Sequence, residues 1–493
     1  MSKYILAIDQ GTTSSRAIIY NAALQPLASA QQELTLTYPQ PGWVEQDPEQ
    51  LWYSVLDCIR QALQRADLNV ADIAGIGITN QRETTLLWHK TSGKTLYPAI
   101  VWQDRRTAAQ CQRLKDAGDE LLLQQKTGLL ADPYFSASKL AWLLDNVPDA
   151  RRQAERGELC FGTVDCYLLW QLSAGKLHTT DASNASRTLL FNIHSQCWDD
   201  ELLKLFNIPA ALLPTVQDNA AAFGMSAHSV LGAEIPILAM IGDQQAALLG
   251  QACTTPGMSK STYGTGAFVV ANTGDRVLNS QHKLLSTVAW RLAGDTTYAL
   301  EGSIFMAGAI VQWLRDKLGI IQQASDTESL AGQSHYHQSE LLIPAFTGLG
   351  APYWQANVQA ALFGISRDTG KAQLAAAALC AVAYQSRDLL LAMQQDGIVI
   401  DSVRVDGGMT ANRWFLQALA DISQSEVFNV AVGDRTTLND LFAALAQSLA
   451  DNGISYPKAA QYADFRAGDV RHSQADISKA KAYIGYAPEY RIR

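Results

Sequence analysis

Three short stretches of this chain place carboxylates, hydroxyls and glycines at the ends of apolar runs. The first is Asp9-Gln10-Gly11-Thr12-Thr13-Ser14-Ser15-Arg16. Its glycine lets the backbone approach a ligand closely, and the groups of Thr12, Thr13, Ser14 and Arg16 can point at phosphate oxygens. Asp9 suits a magnesium ion, which carboxylates usually hold through water. The second stretch, Ser261-Thr262-Tyr263-Gly264-Thr265-Gly266-Ala267-Phe268, repeats this chemistry in the second half of the chain. The third, Asp406-Gly407-Gly408, follows the strand-like residues 403–405 and precedes a helix expected near Asn412. A glycine turn between strand and helix suits a nucleotide lying over the helix start. Two phosphate-type loops and a later glycine pair describe a nucleotide clamped between two related domains. The chain has no GxxxxGK[ST] and no protein-kinase HRD or DFG set, so neither of those routes is open.

Phosphoryl transfer needs a group that takes or orients the attacking hydroxyl, a metal, and groups that offset charge on the moving phosphoryl. Asp243, in the string IGDQQA, ends an apolar run and is the candidate base. The competing reading has it capping the helix that opens at Gln244. Arg82 beside Glu83 offers one donor fork and one acceptor, a pattern that fits a small polyol; a surface ion pair is the alternative. Trp102 and Tyr134 can wall a carbon skeleton, although a core role for Trp102 is open as well.

Positioning these residues requires a particular set of elements. Residues 4–8, 17–20 and 33–37 read as a meander of three strands. A helix follows, with Asp47 as cap, Pro48 in its first turn, Gln50 closing a capping box, and Trp52, Val55, Leu56, Ile59 and Leu63 at helical spacing. A strand is expected at 75–79, and helices at 106–117 and 136–156. Strands at 260–271 and 284–291 and a helix at 309–317 repeat the pattern, which suggests a duplicated architecture with domains at 1–252 and 253–493.

The chain has 493 residues, 38 Lys+Arg against 47 Asp+Glu, and a net charge of −9 without blocks of like charge. That balance argues against nucleic acid or an anionic membrane as partner and favours a small molecule. Seven scattered cysteines lack CxxC spacing and read as reduced core residues of a cytoplasmic protein. Neither a signal peptide nor a run of about 18 apolar residues is visible.

The strings DQGTTSSR, YPQPGWVEQDP, GITNQRETT, TGLLADPYFSASK, ASNASRTLLFNIH, GDQQAALLGQ, STYGTGAF, MAGAIVQWLRD, PAFTGLGAPYW and DGGMTAN occur in this order. In them the chain resembles the FGGY carbohydrate kinases, and NQRET and PAFTGLGAPYW resemble the glycerol-phosphorylating members. The resemblance implies an α/β fold of two ribonuclease-H-like (actin- or hexokinase-like) domains with an ATP cleft between them. It implies ATP and Mg2+ as cofactors, glycerol as substrate, sn-glycerol 3-phosphate as product, and self-association as a dimer or tetramer. At matching positions, Asp243 becomes the base and Asp9 with Asp243 the metal carboxylates. Arg82, Glu83, Tyr134, Asp243 and Gln244 would meet glycerol hydroxyls, with Trp102 and Phe268 along its carbon edge. Thr12, Thr13, Ser14, Arg16, Thr265, Gly308, Gln312, Gly408 and Asn412 would hold the nucleotide. The chain departs from the family pattern at Gln355, Cys380, Asn439 and Asp440. Two alternatives stay open here: a family kinase for another polyol or a ketose, and a nucleotide-binding regulatory protein with weakened catalysis.

Overall fold

A computed structural model describes residues 4–355, 358–400 and 402–429. The chain divides into two compact units, Met1–Pro256 with Ala271–Glu301, and Gly257–Val270 with Gly302–Arg493. Residues 271–301 thus return to the first unit after the chain has entered the second. The expected small-residue departure at Asn439 and Asp440 lies outside the described residues.

The first unit is built on a six-stranded sheet in the order Ala220–Met225, Pro236–Gly242, Ile73–Asn80, Tyr4–Gln10, Ser14–Tyr20, Pro26–Glu33. Its three central strands, Pro236–Gly242, Ile73–Asn80 and Tyr4–Gln10, run parallel, and Gly242, Asn80 and Gln10 stand in register at their carboxyl ends. In open α/β sheets ligands gather beyond such ends. The third strand of the N-terminal meander is Pro26–Glu33 rather than 33–37. It is an edge strand with a mostly exposed, polar sequence, so it lacks the apolar alternation by which inner strands are recognised.

The helix Pro48–Arg65 forms as its sequence requires. Asp47 accepts the Glu49 amide, Pro48 sits at the first helical position, and Trp52, Val55, Leu56, Ile59 and Leu63 are buried. They pack with Leu6, Ile8 and Ile19 of the sheet in one core. The capping box does not close: Gln50 Oε1 accepts from the Thr35 amide at 3.3 Å. The helical signal at 136–156 resolves into Ser136–Asn146 and Ala150–Glu155, because Pro148 interrupts the periodicity.

In the second unit the parallel strands Ser259–Tyr263, Ser402–Asp406 and Glu426–Asn429 pair side by side, with Thr262 opposite Asp406. The strand expected over 260–271 is two strands, Ser259–Tyr263 and Ala267–Gly274, separated by Gly264-Thr265-Gly266. Among its described residues this unit also has the helices Gly308–Asp316, Asp326–Ala331, Lys371–Gln395 and Arg413–Ser423. Lys371–Gln395 is long and apolar enough by length and composition to cross a membrane, and 67% of its most apolar window is buried. Its buried stretch of alanines lets neighbouring backbone approach closely, and Cys380 is one of the small residues on that buried surface. Six cysteines are buried, and Cys197 departs from the core expectation by being exposed.

Candidate functional site

A layer of buried polar residues sits under the carboxyl ends of the first unit's parallel strands. Asn80 and Asn184 exchange reciprocal amide hydrogen bonds at 3.0 and 3.1 Å. Asp181 accepts from the Ser183 and Asn184 amides and from the Ser183 hydroxyl, and Asn219 Nδ2 donates to it at 2.8 Å. Ser183 Oγ in turn accepts the Gly242 N–H at 3.0 Å. Asn219 also donates to the Met240 carbonyl at 3.0 Å. Two strand ends are therefore pinned, at Asn80, two residues before Arg82, and at Gly242, immediately before Asp243. Gly242 is required here: a Cβ on it would lie 2.8 Å from Arg82 Cδ.

Arg82 and Glu83 are adjacent, and in an extended chain their side chains would point to opposite faces. Glu83 has φ 60°, a left-handed conformation that non-glycine residues seldom adopt, and this turns both charged groups into one buried cluster. Arg82 gives Glu301 a two-pronged contact, Nη1 to Oε2 at 2.6 Å and Nη2 to Oε1 at 3.1 Å. Its longer contacts, each 3.3 Å, run from Nη1 to Gln245, from Nη2 to the Tyr134 hydroxyl, and from Nε to Asp243. Arg187 donates Nε to Glu83 at 2.6 Å and Nη2 to Glu301 at 2.8 Å. Burial pushes the Glu83 carboxyl up from its ordinary range, opposed by the Arg82 and Arg187 guanidinium groups. The Arg82 guanidinium, despite its own desolvation, is held well above its ordinary value by Glu301 and Glu83.

Asp243 opens the helix Asp243–Gly250, and its Oδ1 accepts the Gln244 amide at 2.7 Å. While Arg82, Glu83 and Glu301 are almost wholly buried, Asp243 keeps 35% of its side-chain surface, so a ligand can reach it. Gln244 is buried next to it. Asp9, at the end of the first strand, has its carboxyl raised by burial and then by the charge of Asp243, with Arg16 opposing. Carboxylate oxygens such as those of Asp9 and Asp243 are the hard donors a divalent cation takes. Among the described residues no group of three or more His, Cys, Asp or Glu is gathered to hold a metal ion.

The wall beside this cluster is aromatic. The Trp102 and Tyr134 rings meet edge to face at 5.5 Å, and Trp102 Nε1 donates to Thr12 Oγ1 at 2.8 Å. Trp102 is thereby fixed to the first phosphate-type loop. The Tyr134 segment is held by Lys139, fully buried, whose Nζ donates to the carbonyls of Pro133, Tyr134 and Phe135 at 2.9, 2.6 and 3.0 Å. In the loop itself the Gly11 amide donates to the Ser14 carbonyl, and Gln46 donates to the Thr12 carbonyl at 2.6 Å. Thr13 and Arg16 are exposed, and Arg16 reaches Gln31. Ser14 Oγ accepts from Gln31 at 3.1 Å.

The second unit carries a cavity of about 350 Å³ lined by Thr265, Gly308, Gln312, Gly408 and Asn412 together with Thr327, Glu328 and Met409. All five residues expected in this half to meet a nucleotide therefore share one hollow. The fold explains the convergence: Gly264-Thr265-Gly266 follows one parallel strand and Gly407-Gly408 the next. The Ala307 and Gly308 amides donate to the Thr265 and Gly264 carbonyls, seating the helix Gly308–Asp316 on that loop. Gly407, with φ 93°, lies so close to Tyr263 that a Cβ would come within 2.4 Å of its carbonyl oxygen. Asn412 caps the following helix through the Phe415 amide, and its Nδ2 donates to Thr327 at 3.1 Å. Phe268, half-buried in the strand Ala267–Gly274, belongs to this unit as well.

Sequence reasoning missed Arg187, Glu301, Gln245, Asp181 and Lys139. Glu301 carried the clearest signal, a lone charge in the apolar string YALEGSIF. Arg187 and Lys139 lie inside ASNASRTLLFNIH and TGLLADPYFSASK, where nothing in the spacing distinguishes a buried cation from an exposed one.

Residues 4–250 match the N-terminal domain, and residues 260–438 the C-terminal domain, of the FGGY family of carbohydrate kinases. Glycerol kinase 1 of Pseudomonas aeruginosa is 58% identical over 444 residues, 90% of each chain. A glycerol kinase of Ectopseudomonas mendocina is 58% identical over 445 residues, again 90% of each. Among solved structures, Plasmodium falciparum glycerol kinase with ADP superposes with a TM-score of 0.80 at 34% identity, over 86% of this chain and 85% of that one. A gluconate kinase of Lactobacillus acidophilus, at 21% identity and a TM-score of 0.78, shares the fold over 86% of this chain and 85% of its own. With both domains matched and relatives this similar along nine-tenths of its length, the chain belongs to the FGGY family of carbohydrate kinases.

Proposed function

We propose that this protein transfers the terminal phosphoryl group of ATP to glycerol, giving sn-glycerol 3-phosphate and ADP. The observation that carries the reading is the buried Arg82–Glu83 pair beside the accessible Asp243 carboxylate, in a chain 58% identical to a protein named glycerol kinase. Glycerol would lie against Trp102 and Tyr134, with Arg82 and Gln244 donating to hydroxyl oxygens and Glu83 accepting from a hydroxyl. Asp243 takes the proton of the attacking primary hydroxyl as its oxygen bonds to the γ-phosphorus and the bond from phosphorus to ADP breaks. General-base assistance of this kind is worth about 10²–10⁴-fold. Burial of the floor keeps water from competing with the hydroxyl for the phosphoryl group.

The nucleotide fits the second unit's cavity, where glycines leave room for backbone approach and Gln312, Thr327 and Asn412 offer polar partners. Thr12, Thr13, Ser14 and Arg16 would meet phosphate oxygens, and Phe268 would add apolar surface for the polyol. Asp9 and Asp243 would hold Mg2+, which when bound offsets negative charge on the phosphates. On this reading the sequence-assigned span 1–252 would carry the polyol site and the first phosphate loop, and 253–493 the nucleotide site. ADP formation measured with glycerol and a panel of longer polyols and ketoses tests the reading. Faster turnover of a ketose, or no turnover of any polyol at saturating MgATP, sinks it.

A further inference from the structure

We propose that Arg187 and Glu301 are positioning residues of the polyol site: by gripping Glu83 and Arg82 from behind they set which hydroxyl pattern the protein accepts. The inference deepens the reading of glycerol as substrate and rests on it. It begins from an asymmetry among the contacts of Arg82. The prongs to Glu301 include a short one at 2.6 Å, whereas the contacts to Gln245, Tyr134 and Asp243 are all 3.3 Å. The short contact fixes the plane of the guanidinium. The long ones to Gln245 and Tyr134 mark donors that a substrate oxygen can take over at little cost.

Arg187 performs the matching task for Glu83. Its Nε occupies Glu83 Oε1 at 2.6 Å and its Nη2 occupies Glu301 Oε1 at 2.8 Å, closing a chain of alternating charge from Glu83 through Arg187 and Glu301 to Arg82. Its guanidinium also stands 5.6 Å from the centre of the Tyr134 ring. Meanwhile Arg187 Nη1 is buried without a hydrogen-bond partner. A buried orphan donor is costly, and an arginine used only to fill space or balance charge could be replaced by an apolar side chain. What an arginine alone supplies is a planar fork that spans two carboxylates at a fixed angle. The left-handed backbone of Glu83 brings its carboxylate into the cluster, and the 2.6 Å contact from Arg187 Nε holds it there.

The test compares Glu301→Gln with the double variant Glu301→Gln/Arg187→Gln, the second of which restores the charge balance of the cluster. Glycerol affinity is read by calorimetry and by KM, ATP by its own KM, and folding by Tm. Glu301→Gln should raise the glycerol Kd and KM about tenfold or more while the ATP KM stays within about twofold, as expected for loss of a charged contact on one side of the reaction. The double variant should regain Tm toward wild type without regaining glycerol affinity, and should discriminate less between glycerol and propane-1,2-diol. If glycerol affinity recovers together with Tm, the pair acts only through stability and the proposal fails. Unchanged glycerol affinity in Glu301→Gln also overturns it. Wild-type protein that binds glycerol but does not phosphorylate it would overturn the proposed reaction instead, and the calorimetric comparison would still decide the positioning role.

Discussion

Arg82 Nε stands 3.3 Å from Asp243 Oδ1, so the carboxylate proposed to receive the substrate proton is oriented by the guanidinium proposed to bind the same substrate. The arrangement couples binding to chemistry: the hydroxyl that settles against Arg82 is brought next to its acceptor. The hydrogen bond donated by the Gly242 N–H to Ser183 Oγ supports Asp243 through the backbone.

Asp243→Asn keeps the shape of this side chain and removes its capacity to take a proton. Turnover should fall by about 10²–10⁴-fold while the glycerol Kd moves by less than about threefold. Coupled ADP release and calorimetry on the same preparation check both halves. Turnover near that of the wild type would take Asp243 out of the role.

Two glycines of the second unit separate ligand contact from local folding. A Cβ on Gly308 would sit 2.7 Å from the Gly264 carbonyl oxygen, so Gly308→Ala must displace backbone and should lower both Tm and nucleotide affinity. At Gly408 a Cβ would meet nothing within 4 Å, yet the residue lines the cavity. Gly408→Ala should therefore leave Tm unchanged and weaken ADP binding by about tenfold through contact with the ligand alone. Normal ADP affinity in Gly408→Ala would move the nucleotide away from this wall.

Much of this architecture was legible because its signals are local. Asp47 and Pro48 announce a helix start, and Gly264, Gly266, Gly407 and Gly408 announce turns after strands. The N-terminal carboxylate loop and Asp243 stood out as polar residues ending apolar runs. What could not be read was the second layer. Arg187 and Glu301 are far apart in sequence from Arg82 and Glu83, and their roles arise from tertiary contact between separate elements. The edge strand Pro26–Glu33 escaped for the opposite reason: it buries little, and so imposes no pattern on its residues.

Ser183→Ala addresses the layer beneath the strand ends. It removes the acceptor of the Gly242 amide and leaves that buried N–H unsatisfied, while Asp181 loses one donor but keeps the Ser183 and Asn184 amides and Asn219 Nδ2. An orphaned buried N–H costs about 1–3 kcal/mol, so Tm should fall by several degrees. Because the affected amide precedes Asp243, kcat should fall more than the ATP KM rises. An equal effect on both would mean the layer stabilises the unit without orienting the carboxylate.

Lys139 gives a prediction with a definite sign in pH. Burial lowers its ammonium to about 8, against partial support from Glu83, Asp104 and Asp132, while in the unfolded chain it returns to the ordinary lysine value of about 10.4. Below about pH 8 both states carry the proton, and the native state bears the full penalty of a buried charge. Between the two values the unfolded state binds a proton that the native state has released, so stability contributed by this residue rises with pH across that window. Lys139→Met cannot titrate, and every other ionisable group is common to both proteins. The difference in Tm, wild type minus Lys139→Met, should therefore increase from pH 7.5 to pH 10 over about the interval these values define. A difference that stays flat, or shrinks as pH rises, would show that the three carbonyls of Pro133, Tyr134 and Phe135 hold the ammonium charged throughout, and that the Tyr134 segment depends on that charge.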